Sequence, residues 1–153
     1  MRWSNAILQK MSGCGGANHR WGRSPTIIWK GRVFQENGCV LVAARISGLP
    51  RESETGFFGF HIHQGRDCSR ASFSGTGSHY NPAERTHPEH AGDLPPLLEC
   101  LGRAYLSFRT DRFSVNDIIG RTVVIHSDPD DFHTQPAGNA GKKIACGVIR
   151  KRV

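Results

Sequence analysis

The sequence predicts an all-β protein, built as a sandwich or a barrel. Three features lead there: short runs that are apolar or alternate with a period of two, Gly, Pro and Asn turns between them, and no long stretch with the 3.6-residue period of an amphipathic helix. Ser12 through Pro25 is rich in glycine and poor in apolar residues, so it reads as a loop or a loose lead. Ahead of it, Ala6–Met11 can form one further strand. From Thr26 onward the pattern is β. A run containing Val33 ends at Glu36-Asn37-Gly38, and Cys39–Ala43 follows; Asn-Gly between two such runs is the strongest short signal for a hairpin. Gly48-Leu49-Pro50 closes that strand. Phe58–His63 and Arg103–Phe108 alternate, Arg121–His126 and Lys143–Ile149 are two more strands, and only Ser114–Ile119 suits a helical turn. Two intervals, Gln64–Glu99 and Ser127–Lys142, are too long for tight turns, and long loops inside a compact domain are usually functional.

At 153 residues the chain is expected to form one domain, 1–153, with a lead over residues 1–25 and a core over 26–153. Hydrophobic residues at 37% and charged residues at 22% are ordinary globular proportions. A run of about 18 apolar residues, the length that spans a bilayer, occurs nowhere, so no transmembrane helix and no membrane partner is expected. The apolar stretch Ala6-Ile7-Leu8, between Arg2 and Lys10, is far too short for the core of a secretory signal. The expected location is the cytoplasm, with export left open. The net charge is +7, and it is unevenly spread: Arg2, Lys10, Arg20, Arg23, Lys30 and Arg32 all precede the first acid, Glu36. No recognised nucleic-acid motif accompanies this basic lead, so it is read as solvated surface and no nucleic-acid partner is expected.

The chemistry lies in the histidines. All eight except His19 bracket or occupy the two long loops. His61 and His63 share one face of a strand, about 6.6–7 Å apart, so both imidazoles can reach one ion. His87, His90 and Asp93 recur at spacings of three, with Pro88 and Gly92 turning the backbone, and two imidazoles with a carboxylate suit a borderline ion such as zinc. His126 ends the apolar strand Val123-Val124-Ile125. His61, His63 and His126 together offer three imidazoles to copper or zinc. The second set lacks a fourth ligand, and His79 is the histidine flanked by both sets.

Five segments in this order resemble the copper/zinc superoxide dismutase family: Gly59–His63, Gly77–Pro82, His90–Asp93, Val123–His126 and Gly138–Gly147. The resemblance covers about Gly31 to Ile149. It implies a Greek-key β-sandwich or flattened barrel of the immunoglobulin-like kind, with both metals outside it under two long loops. It further implies copper on His61, His63, His79 and His126, and zinc on His79, His87, His90 and Asp93, with His79 bridging as an imidazolate. The implied activity is disproportionation of the superoxide anion to oxygen and hydrogen peroxide by copper redox cycling, with structural zinc and with His79 and Lys143 as the catalytic residues. Asp130 matches the carboxylate that links ligands of the two metals, and Cys68 and Cys146 match the family disulfide. A non-catalytic copper/zinc-binding module on the same sandwich is the alternative function. Such relatives typically lose copper ligands, and here none is lost.

Two departures from the family pattern stand out. Lys143 occupies the position where the family usually has an arginine that guides and docks the anion; a lysine keeps the charge but lacks the rigid fork. Only Pro88 and Glu89 separate His87 from His90, where many members have a longer insert. Cys14, Cys39 and Cys100 have no evident partners, and nothing in the sequence specifies an oligomeric interface.

Overall fold

The computed structural model describes residues 5–9, 12–13 and 27–151. Most of the glycine-rich stretch before Pro25, with Cys14 and His19, lies outside the described residues, as do Arg2, Lys10, Arg20 and Arg23. The strands are β1 (Asn5–Gln9), β2 (Ser12–Gly13), β3 (Ile28–Gln35), β4 (Val40–Ser47), β5 (Phe57–Phe58), β6 (Phe60–His63), β7 (Leu97–Leu98), β8 (Arg103–Thr110), β9 (Thr122–His126) and β10 (Lys143–Lys151). The single α-helix described is the short α1 (Val115–Ile118), where a helical turn was expected, and Ser114 and Asp117 cap its start reciprocally.

Most strands join one antiparallel sheet in the order β6-β9-β10-β1-β3-β4-β8, with β2 also paired to β10. The Asn-Gly hairpin forms as expected. β3 and β4 pair without interruption from Ile28↔Ser47 to Gln35↔Val40, and Gly38 takes the left-handed φ of +77° that its turn requires. The sheet then folds over on itself. Trp29 of β3 meets Phe60 of β6 edge-on, with ring centroids 5.1 Å apart, although the two strands are far apart in the sheet order. Between the two halves lies the core, including Val33, Val42, Ile46, Ile62, Ile125 and Ile149. Each such side chain, fully buried, contributes about 1.5–3 kcal/mol.

One expectation needs correction. The alternating run Phe58–His63 is not one strand, because it breaks at Gly59. The Gly59 N–H donates to the Asp128 carbonyl at 2.8 Å, and β5 leaves to pair with β7 in a separate two-stranded sheet. β6 itself has no solvent face. All four of its residues are buried, because the following loop covers the histidine side. That loop also has structure of its own, with 3-10 turns over Ala71–Thr76 and strand β7.

Candidate metal centre

The histidines converge because the 64–99 loop is tied back onto β6 through its backbone. Ile62 N–H donates to the Gly92 carbonyl at 2.9 Å, Tyr80 N–H to the Ile62 carbonyl at 2.8 Å, and Gly92 N–H to the Tyr80 carbonyl at 2.8 Å. His61 therefore lies opposite Asp93 and His63 opposite His79, as though two further short strands were added to β6. Gly92 has to be glycine, since a β-carbon there would run into the Ile62 carbonyl. His126 arrives from the neighbouring strand β9, whose Val124 pairs with His61.

Two clusters result, and His79 belongs to both. His61, His63, His79 and His126 each bring one ring nitrogen within 4.8 Å of the other three, and so do the donor atoms of His79, His87, His90 and Asp93. All six histidines are buried. The Asp93 carboxylate faces three imidazoles: His79 Nδ1 at 2.7 Å, His87 Nδ1 at 3.0 Å and His90 Nδ1 at 3.2 Å. Although close to Asp93, His87 Nδ1 makes no hydrogen bond, so its lone pair points past the carboxylate.

Hydrogen bonding fixes which nitrogens are free. An ionised carboxylate only accepts, so His61 Nε2 donates to Asp130 Oδ2 at 2.7 Å and His87 Nε2 to Asp130 Oδ1 at 2.8 Å. Asp130 thus joins one histidine from each cluster. His63 Nδ1 donates to the Gly77 carbonyl at 2.9 Å, which turns its Nε2 toward His126 Nε2, 3.2 Å away. His61 Nδ1, His79 Nε2 and His87 Nδ1 are left buried without hydrogen-bond partners. Unpartnered buried nitrogens cost stability unless something fills the space among them, and converging imidazole lone pairs are what a cation needs. The donor sets fit copper at the four-histidine cluster and zinc at the His/Asp cluster.

Electrostatics favours the neutral, ligating form. Burial pushes His63 well below the usual histidine range and His126 down to about 3, and the neighbouring imidazoles add to the effect. Burial also lowers His61, although Asp130 opposes it. Burial would raise both carboxylates. Hydrogen bonds from His61, the Phe132 N–H and His87 nevertheless hold Asp130 well below the carboxylate range, and His79 holds Asp93 below its usual value.

Residues 30–149 match the family model of copper/zinc superoxide dismutase (SODC). The chain belongs to the copper/zinc superoxide dismutase family. Over 139 residues it is 36% identical to Cu-Zn superoxide dismutase 2 of Aquifex aeolicus, an alignment covering 81% of this chain and 80% of that relative. Cu-Zn superoxide dismutase 1 of the same organism is 35% identical over 138 residues, covering 80% of each chain. Cu-Zn superoxide dismutase 3 of Arabidopsis thaliana is 36% identical over 129 residues, covering 74% of this chain and 76% of its own.

Other features expected of a superoxide dismutase sit around the clusters. Cys68 and Cys146 form a disulfide that ties the ligand-bearing loop to β10, while Cys39 and Cys100 are free. Lys143, at the start of β10, lies opposite His126, and its ammonium donates to Thr76 Oγ1 at 2.7 Å and to the Gly77 carbonyl at 2.9 Å. Burial lowers its pKa from the usual lysine value. Three supporting residues escaped the sequence reading. Thr76 is one of them. Gln135 brackets the backbone of His87, accepting from its N–H at 2.9 Å and donating to its carbonyl at 2.7 Å. Arg112 Nη1 donates to the carbonyls of Pro88 and His90, at 2.9 and 3.2 Å. No spacing in the sequence links these residues to the ligands they hold, because each bridges more than twenty positions.

Proposed function

We propose that this protein is an oxidoreductase that converts two superoxide anions and two protons into oxygen and hydrogen peroxide, using copper and zinc. The observation that carries this reading is His79. Its Nδ1 faces Asp93 at 2.7 Å, while its buried Nε2 has no hydrogen-bond partner and belongs among the other three imidazoles. One ring thereby serves two adjacent sites, an arrangement that a lone structural metal does not require. His61, His63, His79 and His126 are assigned to copper, and His79, His87, His90 and Asp93 to zinc. Copper, when bound, supplies the one-electron chemistry that oxidises one superoxide and reduces the next.

The protein's own groups do the rest. His79 Nε2 is placed to hold a proton for the peroxide product while Nδ1 stays beside Asp93. Asp130 keeps His61 and His87 in the tautomer that presents Nδ1. Lys143 provides a cation beside His126 to attract the anionic substrate.

Metal analysis of protein purified without added metals tests the reading. One copper and one zinc per chain, together with superoxide dismutation, is the expected result, whereas zinc alone would favour a non-catalytic module. His126→Ala is expected to abolish dismutation while zinc stays bound. Undiminished activity in that variant would overturn the copper assignment.

A further inference from the structure

The sheet half remote from the histidines carries a charged surface that metal chemistry does not use. Along β3, Trp29, Gly31 and Val33 point inward, and Ile28, Lys30 and Arg32 are exposed. Register extends the outward set across the sheet. Lys30 stands opposite Arg45 of β4, Arg45 opposite Tyr105 of β8, and Ser47 opposite Arg103. In the other direction, Arg32 pairs with Ile7 of β1, which pairs with Arg150 of β10. Arg103, Arg45, Lys30, Arg32 and Arg150 thus form a diagonal band across the sheet, and all five are exposed.

None of the five is in an ion pair among the described residues, and β3, β4, β8 and β10 contain no acidic residue. Lys30 and Arg45 are like charges directly opposite one another, a pairing that destabilises a sheet. A merely solvated face would be expected to intersperse both signs. Tyr105, 64% exposed, lies beside this band with the Arg45 guanidinium 5.7 Å from its ring centre. From Arg103 to Arg32 the cations stand at roughly 5–8 Å steps along and across strands, and the width of β1, about 10 Å between its two neighbours, separates Arg32 from Arg150, with an aromatic face alongside. A linear chain of phosphates bearing stackable bases complements that pattern. A bilayer fits less well, since among the residues whose burial is described the exposed large apolar side chains along or next to the band are Ile28, Tyr105 and Leu101, scattered singly among five cations. β3, β4 and β8 lie away from β6 and β9 in the sheet order, and Arg150 sits at the end of β10 remote from Lys143, the residue opposite His126, so an occupant here leaves the histidine clusters uncovered.

We propose that this face binds single-stranded nucleic acid through its phosphates, without sequence preference, and stacks one base on Tyr105. No recognised motif marks such a face in the amino-acid order, because its five cations come from four strands and are brought together by register.

The test is fluorescence anisotropy of a labelled, mixed-sequence single-stranded DNA of about 16 nucleotides titrated with the full chain. Five phosphate contacts predict a slope near −3.5 for log affinity against log salt, roughly a hundred-fold weakening between about 50 and 200 mM. Lys30→Glu with Arg45→Glu is expected to weaken binding at least ten-fold while superoxide dismutation is unchanged. Tyr105→Ala is expected to weaken binding without altering the salt slope. Should the double reversal not fold, Lys30→Gln with Arg45→Gln serves the same purpose. No binding overturns the proposal. So does equal binding by the variants, which would locate the contact elsewhere, and so does binding to anionic phospholipid vesicles without binding to the oligonucleotide.

Discussion

Lys143 donates a hydrogen bond to the buried hydroxyl of Thr76 at 2.7 Å, so the cation standing where the family usually has an arginine is held at a fixed place beside the histidines. A lysine ammonium has no rigid fork of its own. Here the fold supplies the rigidity, because the Gly77 carbonyl that also receives Lys143 accepts from His63 Nδ1 as well. Thr76 in turn donates to the Phe73 carbonyl at 2.8 Å.

Lys143→Glu in the metal-loaded enzyme is expected to lower kcat/KM about ten-fold at low ionic strength and to invert its salt dependence, because added salt would then screen a repulsion. Thr76→Val should retain the charge but leave the ammonium held by the Gly77 carbonyl alone, giving a smaller loss with the sign of the salt dependence unchanged. Stopped-flow or pulse-radiolysis rates at several salt concentrations measure both. A rate at low salt indifferent to Lys143→Glu would place the attracting charge elsewhere.

Asp130 accepts from both His61 and His87, and an amide cannot do so with both arms. In Asp130→Asn, the amide nitrogen must confront one of the two ring N–H groups and turn it. Metal affinity is therefore expected to fall about 10–100-fold, as judged by competition with a chelator of known affinity. Affinity equal to that of the unsubstituted protein would show that the rings are oriented without this carboxylate.

The Cys68–Cys146 bridge closes a chain segment with a sequence separation of 78. A loop of that size corresponds to about 4–5 kcal/mol of denatured-state entropy in the simple chain model. Replacing both cysteines with serine should lower the denaturation midpoint markedly and expose the 64–76 stretch to hydrogen exchange. Chemical denaturation followed by exchange mass spectrometry checks both outcomes.

Acid should weaken the metal-free protein. In the unfolded chain His63 and His126 take up protons near 6.5; in the fold burial keeps His63 far below that and His126 at about 3. Between those limits the unfolded state binds more protons, so folding stability falls as pH falls, on the order of 1.4 kcal/mol per pH unit for each such histidine. Asp130 and Asp93, held below the ordinary carboxylate value of 3.8, extend the loss to still lower pH. Urea midpoints of the metal-free protein at pH 7 and pH 5 test this, and an equal midpoint at both would mean that these rings are protonated in the folded state.

Local chemistry was legible in the amino-acid order. The hairpin at Asn37-Gly38, the β8, β9 and β10 strands and the turn at α1 follow from short-range pattern, and the six clustered histidines, Asp93 and Asp130 were singled out by the motifs that carry the family resemblance. Such features depend on turn residues, on the two-residue period of a strand and on side-chain donor type, each of which is visible within a few positions. Only the tertiary structure decided the break at Gly59, the burial of both faces of β6, the grip of Thr76, Gln135 and Arg112, and the assembly of a cationic diagonal from four strands. Those depend on register and on loops crossing strands distant in the chain, and no local period encodes which distant backbone a residue will meet.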